Sequence, residues 1–214
     1  MELQTFDKKG QSKNRKEGTE WLRLWCENTG NNNLPRVALI GDSITEQVFP
    51  IVKRELKGIA NVDYLATSYS IISSVYQVSV EEFIKDSDYS VICYNYGLHA
   101  FNVSIGDYEN AYRFMIIKMI ENSKVILSLT TRVFETEYMN KPSDVWDGVI
   151  KERNSCVEKL AKEFKVHVND LYKTSAELGA SGKTTDGVHF NDEGIEVLGK
   201  NKAQSIKMLL QNRA

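Results

Sequence analysis

Short, uninterrupted apolar runs alternate along this chain with longer segments of helical period, and that order leaves few architectures open. Val37-Ala38-Leu39-Ile40 ends at Gly41, as a strand buried on both faces should. Residues 45–56 then read as a helix, with a disturbance expected at Pro50. The alternation continues with strands predicted over 61–66, 89–96, 124–130 and 166–168, and helices over 80–84, 108–122, 147–164 and 192–211. In the helix over 108–122 Tyr112, Met115, Ile116 and Met119 share one face. Each parallel strand pair needs a crossover, so this order implies a parallel sheet covered by helices on both sides. A length of 214 residues suits one core, and neither an internal repeat nor an interior linker divides it. Residues 34–214 are expected to form the α/β domain. Residues 1–33 read as a polar tail followed by a Trp-rich helix over 19–28, which packs on the domain through Trp21, Leu22, Leu24 and Trp25.

Composition removes several function classes. The formal net charge is −2, which argues against a nucleic-acid binder, since such domains carry a basic excess. Lys8, Lys9, Lys13, Arg15 and Lys16 lie in the polar tail with Asp7 and Glu17 beside them. No apolar run reaches membrane-spanning length, and the first nineteen residues lack the apolar core of a signal peptide. A cytoplasmic protein is therefore expected. Cys26, Cys93 and Cys156 are odd in number, far apart and free of any Cys-x-x-Cys pair. They form neither a disulfide framework nor a zinc signature, and read as reduced, mostly buried thiols.

Ligands of parallel sheets bind beyond the carboxyl ends of the strands. That rule singles out Gly41-Asp42-Ser43, Thr67-Ser68-Tyr69-Ser70, Gly97-Leu98-His99 and Thr130-Thr131-Arg132. Ser43 stands where a buried strand gives way to a helix. There its hydroxyl can project outward, and its amide lies among the unpaired N–H groups of a helix start, which favour negative charge. The competing reading is structural: Ser43-Ile44-Thr45-Glu46 fits the Ser-x-x-Glu capping box.

A nucleophilic serine needs a base, and the base needs an orienting group. Of the three histidines, His167 opens a short strand and reads as a packing or surface residue. His99 follows a strand end. His189 lies in Asp186-Gly187-Val188-His189, where a turn can bring carboxylate and imidazole to one side. The alternative there is an ordinary Asp-Gly turn with a surface histidine. No Gly-x-Ser-x-Gly elbow occurs. Gly182-Lys183-Thr184 is similar to the end of a phosphate loop, but Glu177 stands where its first glycine belongs.

Gly41-Asp42-Ser43-Ile44-Thr45 near the start and Asp186-Gly187-Val188-His189 near the end resemble blocks I and V of the SGNH (GDSL-like) hydrolases, and Val168-Asn169-Asp170-Leu171-Tyr172 is also similar to that family. The resemblance implies a three-layer α/β/α sandwich around a five-stranded parallel sheet of flavodoxin-like order. It implies a serine esterase of short acyl, chiefly acetyl, esters, including those of carbohydrates, with Ser43, Asp186 and His189 catalytic and with no metal or organic cofactor. A small-molecule or carbohydrate ester would be the partner, with no nucleic acid or membrane. Two blocks depart from the family pattern. Block II, Ala66-Thr67-Ser68-Tyr69-Ser70, lacks its glycine, so the oxyanion amide is assigned to Ser68 in preference to Ser70. Block III reads Gly97-Leu98-His99, with histidine where asparagine is usual. The expected oxyanion hole is thus Ser43, Ser68, Gly97 and His99. Arg132 is a candidate substrate-binding residue, its alternative being a surface ion pair. The altered blocks also leave open a degenerate carbohydrate- or acyl-binding protein on the same fold.

Overall fold

The structure is a computed structural model that describes residues 18–31, 33–135 and 141–211. Its elements follow the alternation read from the sequence: β1 (Leu22–Trp25), β2 (Arg36–Gly41), α1 (Ser43–Glu55), β3 (Asn61–Thr67), α2 (Ser74–Lys85), β4 (Tyr89–Tyr94), α3 (Ile105–Ile120), β5 (Lys124–Ser128), α4 (Asp144–Phe164), β6 (His167–Asn169), α5 (Leu171–Leu178) and α6 (Asp192–Gln211). The sheet order is β1-β3-β2-β4-β5-β6. Strands β2 to β6 run parallel in the flavodoxin-like order expected.

Alternate residues of the strands feed two cores. Ala38, Ile40, Leu65, Ile92, Tyr94, Val125 and Leu127 face α2, α3 and α4. Val37, Leu39, Val62, Val91, Cys93 and Ile126 face α1, α5 and α6. The result is a helix–sheet–helix sandwich. Its central strands are buried on both sides, which is why they appear as continuous apolar runs. Pro50 sits within α1 without ending it, its ring on the exposed side.

Two expectations are corrected. The sheet has six strands, not five, because the segment read as a Trp-rich helix is β1, paired antiparallel to the outer edge of β3. Apolar residues at positions 21, 22, 24 and 25 suit either period over so short a span, and the open edge of β3 decides between them. Its backbone groups need partners, and both Leu24 and Trp25 stay exposed. The segment is then pinned at the far end by a buried ion pair: Arg36 binds Asp63 at 2.9 Å and donates to the carbonyls of Glu27 and Asn28. The polar tail proper lies outside the described residues. The three cysteines are free thiols, Cys93 and Cys156 buried and Cys26 exposed, in keeping with their reading as mostly buried. The second correction is α5, absent from the sequence reading. Asp170 caps it by accepting from the amide of Lys173 at 2.8 Å. No helix among the described residues is long and apolar enough to cross a membrane.

Candidate active site

At the carboxyl end of β2 the chain turns directly into α1. Asp42 is the N-cap, its carboxylate accepting from the amide of Ile44 at 2.9 Å. Ser43 is therefore the first helical residue and not the cap, so its hydroxyl is released from the capping role the sequence allowed. Its amide has no intrahelical acceptor at that position. The turn requires Gly41: a Cβ there would lie 2.1 Å from Thr45 Oγ1.

The second part of the site is the turn between α5 and α6. Lys183 and Phe190 form an antiparallel bridge, and the amide of Thr184 donates to the His189 carbonyl at 3.0 Å. Gly187 has φ +71°, and a Cβ on it would meet the Phe134 carbonyl oxygen at 2.1 Å. The amide of Phe134 in turn donates to the Gly187 carbonyl at 3.0 Å. The Asp-Gly pair is thus a turn, as its composition suggests, and it serves to place the two side chains that follow from it.

The structure brings Ser43, His189 and Asp186 together. His189 Nε2 lies 2.9 Å from Ser43 Oγ, and His189 Nδ1 lies 2.6 Å from Asp186 Oδ2. The other carboxylate oxygen, Oδ1, accepts from the Thr184 hydroxyl and from the amides of Val188 and His189, at 2.8, 2.8 and 2.9 Å. Partial burial would raise the Asp186 pKa, but these hydrogen bonds from His189, Thr184 and Val188 outweigh it and hold the carboxyl well below the usual range. An ionised Asp186 accepts the Nδ1 proton, which leaves the Nε2 lone pair toward the serine hydroxyl.

The remaining sequence candidates fare differently. Ser68 is corrected: its amide donates to the Trp21 carbonyl at 3.1 Å and its hydroxyl accepts from the Trp21 amide. The edge strand that the sequence reading missed consumes this donor. The Tyr69 amide is taken by Thr67 Oγ1. Among the described residues, the amides of Ser70 and Ile71 donate to no acceptor of the chain. Gly97 and His99 lie in the loop after β4, at the same end of the sheet as Ser43. Their carbonyls accept from the Arg153 guanidinium at 3.2 and 2.8 Å, and that of Ala100 accepts at 2.6 Å. Arg132 is engaged rather than free: its guanidinium donates to Tyr172 Oη and lies 3.4 Å from Asp147. That matches the ion-pair alternative. His167 is exposed on β6.

Sequence reasoning missed Arg153, Lys183, Thr184 and Gln47. A signal for Arg153 was present: it falls on the apolar face of α4 with Ile150, Val157 and Leu160, and a cation on such a face needs partners.

No family model matches the sequence, and no curated protein matches it. By structure the chain is similar to a lipase/acylhydrolase from Enterococcus faecalis, with a TM-score of 0.66 and 18% identity over 82% of this chain and 96% of that one. It is similar to a carbohydrate esterase family 3 protein from Talaromyces cellulolyticus, with a TM-score of 0.67 and 14% identity over 85% of this chain and 100% of that one. It is also similar to an acetylxylan esterase from Geobacillus stearothermophilus, with a TM-score of 0.67 and 14% identity over 80% of this chain and 94% of that one. At these identities the likeness establishes the fold, the three-layer α/β arrangement of the SGNH hydrolases.

Proposed function

We propose that this protein is a serine esterase that hydrolyses short-chain acyl esters, acetyl esters of carbohydrates foremost, through an acyl-enzyme on Ser43. One observation carries the reading: a serine hydroxyl at a helix start lies 2.9 Å from an imidazole whose other nitrogen is held by an ionised carboxylate. A capping serine or a surface histidine has no need of that chain of contacts. The acyl and sugar-ester chemistry is suggested by the acylhydrolase, carbohydrate esterase and acetylxylan esterase that share the fold.

In the reaction, Ser43 Oγ attacks the ester carbonyl as His189 Nε2 takes its proton. Asp186 holds the ring and offsets the charge of the imidazolium. The negative charge on the carbonyl oxygen meets the Ser43 amide, the loop of Gly97 and His99, and an amide at position 70 or 71. His189 then gives its proton to the leaving alcohol. Water, deprotonated by the same ring, releases the acid and restores Ser43.

The test is a panel of acetyl, butyryl and longer nitrophenyl esters alongside acetylated sugars, with Ser43→Ala as the blank. Wild type should turn over the shortest esters best and react covalently with a fluorophosphonate at Ser43, and the variant should do neither. Retained hydrolysis by Ser43→Ala overturns the mechanism. Sugar-ester binding with neither hydrolysis nor fluorophosphonate labelling would replace it with a binding module.

A further inference from the structure

Lys183 takes no part in the reaction above, and its sequence setting, Gly182-Lys183-Thr184, resembles a phosphate loop that the fold does not build. It is nonetheless buried, with 4% of its surface exposed, against the turn that carries Asp186 and His189. Its Nζ donates to the Val188 carbonyl at 2.7 Å and stands 3.4 Å from the centroid of the Phe190 ring. Val188 and Phe190 are the two residues that flank His189. A single ammonium therefore grips the chain on both sides of the imidazole, by a charge-assisted hydrogen bond on one side and a cation–π contact on the other.

We propose that Lys183 is a positioning residue, whose ammonium fixes the Val188 carbonyl and the Phe190 ring and so sets where the His189 imidazole meets Ser43. Its kinetic consequence rests on the esterase reading, while its mechanical consequence does not.

Only the charged form makes both contacts at full strength. Two carboxylates act on that charge, Asp186 from the same turn and Asp42 from the start of α1. Burial outweighs them and pushes the lysine down to about 7. The other titratable side chain of the turn is His189, which shares Asp186. The grip should thus weaken as pH rises from the acid side of neutrality to the alkaline side.

Lys183→Met keeps the unbranched apolar stem and removes the charge and the donor. Its kcat on a short nitrophenyl ester at pH 6.5 should fall about 10- to 100-fold with KM changed less than about threefold, as expected for a small misplacement of a reacting group. The ratio of wild-type to variant kcat should shrink several-fold by pH 9. A ratio that is large but identical at both pH values would reduce Lys183 to packing, and a ratio near one at pH 6.5 would remove it altogether. Hydrogen exchange gives a readout independent of activity: the Val188 and His189 amides should lose protection in the variant at pH 6.5 while α1 and α6 do not. If no ester is hydrolysed by wild type, the esterase reading falls, and exchange alone decides, unchanged protection overturning the positioning role. Should Lys183→Met fail to fold, wild type is compared with Lys183→Arg. Between pH 6.5 and 9 the kcat of wild type should fall relative to that of the permanently charged variant, and pH profiles of the same shape for the two overturn the proposal.

Discussion

The carboxamide of Gln47 holds the backbone of Phe190 by both of its groups, donating from Nε2 to the carbonyl and accepting at Oε1 from the amide, each at 3.4 Å. Gln47 lies one helical turn beyond Ser43 on α1, and Phe190 directly follows His189. The pair therefore ties the helix that presents the hydroxyl to the segment that presents the imidazole.

Gln47→Ala removes that tie. The two bonds are long, so unfolding stability should fall by only about 1 kcal/mol. Turnover should fall about tenfold with KM nearly unchanged, because the loss is one of alignment between hydroxyl and base. Steady-state kinetics with a urea unfolding curve checks this. A rise in KM at constant kcat would place Gln47 in substrate binding instead.

The loop of Gly97 and His99 separates structural from chemical roles by two variants. Arg153→Met leaves three carbonyls, two of them in buried contacts, without their cationic donor, and should cost about 3 kcal/mol or more of stability. His99→Ala leaves those contacts in place. If the imidazole donates to the oxyanion, kcat falls about 100- to 1000-fold with a much smaller change in the unfolding midpoint. Wild-type turnover by His99→Ala would exclude His99 from the mechanism.

The burial of Lys183 also predicts a pH dependence of stability. The folded chain releases this proton near pH 7, the unfolded chain near the ordinary 10.5. Between those values the unfolded state binds more protons, so raising the pH favours the folded state, whereas below about pH 6 both states are protonated and the effect is flat. The stability of wild type relative to Lys183→Met should therefore rise from pH 7 toward pH 10. Urea unfolding of both proteins at pH 6, 7.5 and 9 measures the slope, and a constant difference would mean that the lysine is not desolvated as its burial indicates.

Much of this protein was legible from local pattern. Val37 to Ile40, closed by Gly41, reads as a buried strand because every residue of it is apolar, and the order of such runs with helices yields a parallel sheet and its ligand-binding edge. The Asp-x-x-His turn is equally local. Asp186 takes the Val188 and His189 amides and the His189 ring within three residues, so its geometry is a property of that short segment. The altered block II misled for the opposite reason. Whether Ser68 had a free amide depended on Trp21, forty-seven residues away, and on β1 being a strand. Four residues of mixed spacing cannot declare that without the edge they pair with.

What the chain determined by itself was the alternation of elements, the hydrophobic faces that stack them, and two polar segments chemically fit to be a nucleophile and its base, since periodicity and turn chemistry act over a few residues. What the tertiary structure alone decided was their meeting. Ser43 and His189 are 146 residues apart, Asp42 rather than Ser43 caps the helix, and Lys183 and Arg153 acquire partners only once buried. Such contacts arise from the packing of α1, α4 and the final turn around the sheet, and no local propensity encodes the distance between groups that packing brings together.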